Sequence, residues 1–149
     1  MKKTKDKIKK ICEEFLAKLD FKAEVTLEIF EKAIFINVDC DKAPLLIGRN
    51  GETLKSLQHI LRLVINKKLD EFIPLSVDVA GYRQRQEKFL EQNCTEVALE
   101  VKKTKKPIEL SPMNSYERRI IHLVLEKIDG VTSESVGEGL NRRVIIKPE

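Results

Sequence analysis

Two short stretches carry residue types whose spacing can do chemistry. In Gly48-Arg49-Asn50-Gly51, two glycines three apart stand between the apolar run Leu45-Leu46-Ile47 and a long helical pattern. Glycine permits positive φ and close approach of another backbone, and the start of the following helix offers unpaired N–H groups, so such a loop can hold an anion with Arg49 adding charge. The spacing fits neither G-x-x-x-x-G-K-[ST] nor G-x-G-x-x-G, which excludes the usual nucleotide loops. The phosphate it suits is that of a polymer running past. The second stretch is Tyr116-Glu117-Arg118-Arg119-Ile120-Ile121-His122, in which Arg118 and His122 are four apart and share a helix face. A guanidinium offers phosphate a planar fork or stacks on a base, and imidazole can stack or donate. Neither role requires bond-making.

Other reactive groups are scattered. Cys12, Cys40 and Cys94 are far apart and odd in number, without a C-x-x-C pair, and the only histidines are His59 and His122. A disulfide framework or a zinc site needs clustered ligands, so reduced thiols in a cytoplasmic setting are expected. Glu13-Glu14 and Asp70-Glu71 read as solvated helix residues, Cys94 as a helix core residue, and His59 as structural. No catalytic residue, no metal and no cofactor is expected.

These stretches must be positioned by a chain of 149 residues, 42% hydrophobic and 35% charged, with a formal net charge of +4. That composition is globular, and so mild a basic excess means that attraction to polyanions must come from local placement. The lysine-rich start resembles the head of a signal peptide, but Glu13, Glu14 and Lys18 interrupt the stretch where an apolar segment would lie. No run approaches the ~18–20 apolar residues of a membrane span.

Helical spacing of Ile8, Ile11, Phe15, Leu16 and Leu19 predicts an amphipathic helix, followed by alternating strands over 23–30 and 33–40 joined by Glu31-Lys32. Pro44 opens a brief helical turn up to Gly48. Leu54, Leu57, Ile60, Leu61, Val64 and Ile65 trace the apolar face of the next helix, and 73–79 reads as a strand. The order is α-β-β-α-α-β, in about 80 residues, enough for a modest core. A second unit, 81–149, begins with a long helix ending in the basic run 102–106, then a short strand at 107–110. Ser111 as N-cap and Pro112 at the first helical position predict the start of the helix that carries Arg118 and His122. Ile120, Ile121, Leu123, Val124 and Leu125 are assigned to its core side. Two strands close the chain, with Gly137 and Gly139 near their turn, and Arg142, Arg143 and Lys147 are expected to bring positive charge beside that helix.

The apolar residues before Gly48, the amphipathic helix after Gly51 and the α-β-β-α-α-β frame resemble a type II KH domain, whose loop clamps a nucleic-acid backbone. The second unit resembles the R-three-H domain, named for its Arg-x-x-x-His, with helices packed on a small three-stranded sheet. Together, "LLIGRNGETLKSLQHIL", "GYRQRQ", "SPMNSYERRIIH", "TSESVGEG" and "RRVIIKP" resemble the Jag family, also called KhpB or EloR. The fold class expected is therefore α+β, a KH domain at 1–80 and an R-three-H domain at 81–149.

The resemblance implies a cytoplasmic protein that binds single-stranded RNA, or single-stranded DNA, and that acts post-transcriptionally in cell elongation, cell-wall growth or sporulation. It implies a KH-mediated homodimer, or a heterodimer with a lone-KH protein of the KhpA kind. The expected contacts are Gly48, Arg49, Asn50 and Gly51 on the RNA backbone, Leu46 and Ile47 lining an apolar groove for bases, and a second surface of Arg118, Arg119, His122, Arg142 and Arg143. Asn50 stands where a second basic residue is common in the family, which weakens the loop's charge. Many members carry a further N-terminal domain and linker, whereas this chain starts almost at the first KH helix. The rival expectation is a protein-interaction adaptor that uses the KH unit as a dimerisation surface.

Overall fold

The computed structural model describes residues 2–149 and divides into two compact units, the first ending at Arg83 and the second running Gln84–Glu149. Each has its own core.

In the first unit, α1 (Lys2–Lys18) precedes the hairpin β1 (Ala23–Phe30) and β2 (Ala33–Cys40), then α2 (Ala43–Ile47), a 3-10 turn (Arg49–Gly51), α3 (Glu52–Leu69) and β3 (Leu75–Val79). The expected α-β-β-α-α-β order is the observed one. The hairpin closes without glycine because Glu31 takes φ 55. Strand order is β1-β2-β3, antiparallel for β1 with β2 and parallel for β2 with β3. Register places Val25, Val38 and Val79 on one face, where α1 and α3 cover them with Ile8, Leu16, Leu54, Leu61 and Ile65. Each such buried aliphatic side chain contributes about 1.5–3 kcal/mol.

The second unit takes up the long helix α4 (Tyr82–Thr104) from Gln84 on, with β4 (Ile108–Glu109), α5 (Ser115–Leu125), β5 (Val131–Val136), a 3-10 turn (Gly139–Asn141) and β6 (Arg143–Pro148). Its antiparallel sheet has the order β4-β6-β5. The buried stripe of α4 is Leu90, Cys94, Ala98 and Val101, at helical spacing, while Phe89 and Leu99 are exposed. Ile121 and Leu125 of α5 meet that stripe above Val144 and Ile146 of β6. The whole chain is α+β.

The start of α5 differs from expectation. Its N-cap is Asn114, not Ser111: Asn114 Oδ1 accepts from Glu117 N at 2.9 Å while Glu117 Oε2 accepts from Asn114 N at 3.1 Å. This reciprocal capping box satisfies two otherwise orphaned donors. Residues 110–113 instead extend the sheet pairing, with Leu110 N donating to Val144 O at 2.9 Å and Met113 N to Arg142 O at 3.1 Å. Those ladder bonds outweigh the local preference of Ser-Pro for a helix start. Glu117 is nearly buried, and its other oxygen accepts from Gln86 Nε2 at 3.0 Å, so the carboxylate is fully engaged.

Candidate nucleic-acid interface

The loop between α2 and α3 is shaped by backbone. Gly48 has φ 71 and ψ −175, a conformation essentially closed to other residues, and a Cβ there would lie 2.1 Å from Thr53 Oγ1. Gly51 has φ 75 and ψ 14, and a Cβ there would lie 2.9 Å from Tyr82 Cε1. Between them Asn50 is left-handed at φ 54, which asparagine tolerates better than most residues. No side chain caps the start of α3, although the Gly51 amide donates to Gly48 O and the Glu52 amide to Arg49 O within the tight turn. Arg49 and Asn50 are exposed, and Glu52 in the first turn sets one negative charge against Arg49.

Leu46 and Ile47 are not available to line a groove for bases. They are 3% and 8% exposed and belong to the core, anchoring α2, whereas Leu45 is 64% exposed. The helical turn from Pro44 explains this: three successive apolar residues cannot all face the same way, and the core takes the last two.

The second surface is built from side chains. Arg118 and His122 do share one face of α5, and that face forms a cleft of about 310 Å³ with Ser115, Arg119, Leu123 and Glu126, closed by Ser135 of β5 and by Arg142. Arg118 Nη1 donates to Met113 O at 2.6 Å, and Arg142 Nη1 donates to Gly137 O at 2.9 Å, so both guanidiniums are oriented by one bond each and keep further donors. The His122 ring is held at both nitrogens, Nδ1 at 2.6 Å from Ser133 Oγ and Nε2 at 2.8 Å from Ser135 Oγ. Three guanidiniums face one carboxylate in the cleft. Such a donor-rich, positively charged concavity suits phosphate.

Three sequence expectations fail here. Arg143 does not join Arg118 and His122. Register pairs Ser135 with Val144 and Ser133 with Ile146 on the face toward α5, so Arg143 projects from the opposite face, where its Nε lies 2.8 Å from Glu109 Oε2 in an ion pair lacking hydrogen-bond alignment. Lys147 also lies on that face, 2.5 Å from Glu134 Oε2, and this contact holds the Glu134 carboxyl below its usual range. Leu123, assigned to the core, is 49% exposed and lines the cleft. It is four residues from Arg119 and three from Glu126, both of which line the cleft, which puts it on their side of the helix.

The KhpA/KhpB-type KH domain model matches residues 5–78, and the R-three-H domain model matches 88–148. Similar proteins are named RNA-binding protein KhpB. That of Clostridium symbiosum is 37% identical over 143 residues, covering 95% of this chain and 64% of the relative. That of Bacillus subtilis is 36% identical over 127 residues, covering 84% of this chain and 61% of the relative. The relative from Lactiplantibacillus plantarum is 30% identical over 142 residues, 93% of this chain and 44% of its own length. The chain belongs to the KhpB family. It spans less than two thirds of the length of these relatives.

Within this KhpB-family chain, Ser133 and Ser135 are the site residues that sequence reasoning missed. A signal for them exists in Ser-x-Ser on a strand, because alternation puts both hydroxyls on one face, but nothing local says which face meets α5. Of the remaining candidates, His59 is exposed on α3 and Cys94 is buried in the second core, where burial pushes its thiol up to about 11. Among the described residues no group of His, Cys, Asp and Glu could hold a metal, and no helix is long and apolar enough to cross a membrane.

Proposed function

We propose that the chain binds single-stranded RNA, with the α5–β5 cleft as its phosphate-directed surface and the Gly48–Gly51 loop as a second, backbone-directed one. The observation that carries this reading is the convergence of Arg118, Arg119 and Arg142 around Ser135 in one cleft. The similarity to proteins named RNA-binding protein KhpB supports it. In this reading the protein binds and does not catalyse. It works in the cytoplasm as a post-transcriptional regulator tied to cell elongation, cell-wall growth or sporulation.

The test is fluorescence anisotropy with a labelled oligouridylate at low salt, alongside the DNA oligomer of matching sequence. Gly51→Asp puts a side chain and a negative charge into the loop, and Arg118→Ala removes a phosphate donor. Each should weaken binding about tenfold, the cost of one charge-assisted hydrogen bond. If both bind RNA like wild type, the reading is wrong. Affinity should also fall steeply with salt through counterion release.

A second reading, partner binding through the KH unit, is favoured by Ile60 and Leu63, which are 43% and 58% exposed on α3. They suit a homodimer or a heterodimer with a KhpA-like lone-KH protein. Unlike RNA affinity, an apolar interface of this kind should change little with salt.

A further inference from the structure

We infer that Ser135 is the cleft's direct hydrogen-bond donor to a phosphate oxygen of single-stranded nucleic acid, and that His122 is a positioning residue acting through it. This rests on the reading of the cleft as an RNA-binding surface. The ring itself has no free edge, since Nδ1 lies 2.6 Å from Ser133 Oγ and Nε2 lies 2.8 Å from Ser135 Oγ. A neutral imidazole carries one N–H and one bare nitrogen, so one serine donates its hydroxyl proton to the ring and the other accepts from it. The serine that accepts keeps its own O–H for another partner.

Position decides which serine that is. Ser133 sits opposite fully buried Ile146 and does not line the cleft, and among the described residues its hydroxyl has no hydrogen-bond partner other than Nδ1. If Ser133 accepted from the ring, the O–H of this half-buried residue would have only water to donate to, whereas donating to Nδ1 satisfies it within the protein. If Ser133 donates to Nδ1, the proton on Nε2 goes to Ser135, and the Ser135 O–H turns into the cleft between Arg118 and Arg142. Every hydroxyl is then satisfied once a phosphate oxygen or water arrives. The chain Ser133 to His122 to Ser135 to ligand runs in one direction, and each bond polarises the next.

The Arg-x-x-x-His spacing thus divides its labour: Arg118 supplies charge and His122 fixes the tautomer and the rotamer of a hydroxyl on the neighbouring strand. Guanidiniums on long stems tolerate many phosphate positions, whereas a hydroxyl on a strand tolerates few. Ser135 therefore sets where along the backbone the phosphate sits.

The experiment has two readouts on the full chain. Nitrogen-15 NMR of the imidazole, with His59→Gln leaving a single ring, should report the Nε2–H tautomer, and Ser133→Ala should shift that population. A ring protonated at Nδ1 alone overturns the inference. In anisotropy titrations with labelled oligouridylate, Ser135→Ala should weaken binding about five- to tenfold, and Ser135→Thr should restore most of it. The urea midpoint of Ser135→Ala should stay close to wild type, which separates a lost contact from a lost fold. If Arg118→Ala weakens binding but Ser135→Ala does not, this inference fails and the RNA-binding reading stands. If neither does, the inference fails together with the reading of the cleft as an RNA-binding surface.

Discussion

At the Gly48–Gly51 loop the candidate contact surface is backbone: a start of α3 that no side chain caps, two glycines with positive φ, and a single exposed arginine. In the α5–β5 cleft it is side chain: three guanidiniums, an imidazole and a hydroxyl, with Arg118 and Arg142 held by carbonyls and His122 by two serines at 2.6–2.9 Å. The two constructions fail in different ways. Damage to the loop is damage to the fold around it, because the shape of the chain is the site. Damage to the cleft can remove binding and leave the fold, because its donors project from a core that Ile121, Leu125, Val144 and Ile146 stabilise independently.

The largest contrast is expected from Gly48→Ala. It forces an alanine into a conformation costing about 1–3 kcal/mol and drives its Cβ against Thr53, so unfolding free energy should drop by about 2–4 kcal/mol in urea titrations. Adding Thr53→Ala should recover only the steric part, since the φ of 71 remains. Arg118→Ala or Arg142→Ala in the cleft should cost under about 1 kcal/mol. A Gly48→Ala protein as stable as wild type would break the distinction between a backbone-built and a side-chain-built site.

Comparable in size is the pair Leu46→Ala and Leu45→Ala. Leu46 is 3% exposed and its truncation should cost about 2–5 kcal/mol, whereas Leu45, 64% exposed, should cost under about 0.5 kcal/mol. If bases contact apolar side chains beside the loop, Leu45→Ala should weaken RNA binding without moving the thermal midpoint. This pair also shows what sequence can and cannot convey. Alternation in β1 and β2 and the helical spacing of Leu54, Leu57, Leu61 and Ile65 made the first unit's frame legible, because each pattern reports its own burial. In Leu45-Leu46-Ile47 all three are apolar, so the pattern holds no information about which one faces out.

The second unit repeats that lesson on a strand. Arg142 and Arg143 are adjacent and equally basic, yet only Arg142 lines the cleft, and only the register of β6 against β5 decides it. Asn114 as cap was legible in Asn-x-x-Glu but competed with Ser111-Pro112, and the choice was made by distant ladder bonds to β6. Arg118→Ala should therefore weaken RNA binding about tenfold and flatten its salt dependence by about one phosphate contact, while Arg143→Ala, already paired with Glu109, should change affinity less than about twofold. Equal losses in the two variants would mean that the opposite face of the sheet also meets RNA.

The smallest effect compares the two cores through their cysteines. Burial pushes the Cys12 thiol up to about 12, with Glu13 adding to the shift, and the Cys94 thiol up to about 11, from an ordinary value of 9.0. A thiol raised in the folded state stays neutral there while the unfolded chain ionises. Its stabilising contribution is whole below pH 9.0 and is lost as pH rises toward 11 for Cys94 and 12 for Cys12. Lysines and tyrosines titrate over the same range, so the informative quantity is a difference between proteins. Relative to wild type, Cys12→Ala and Cys94→Ala should each flatten the fall in urea stability above pH 9.0, with Cys12→Ala continuing to differ to higher pH. Both thiols should also resist a neutral-pH thiol reagent that modifies the half-buried Cys40. Rapid labelling of Cys94 but not Cys12 would show that the second core opens more readily than the first, and that the cleft rests on the more mobile of the two units.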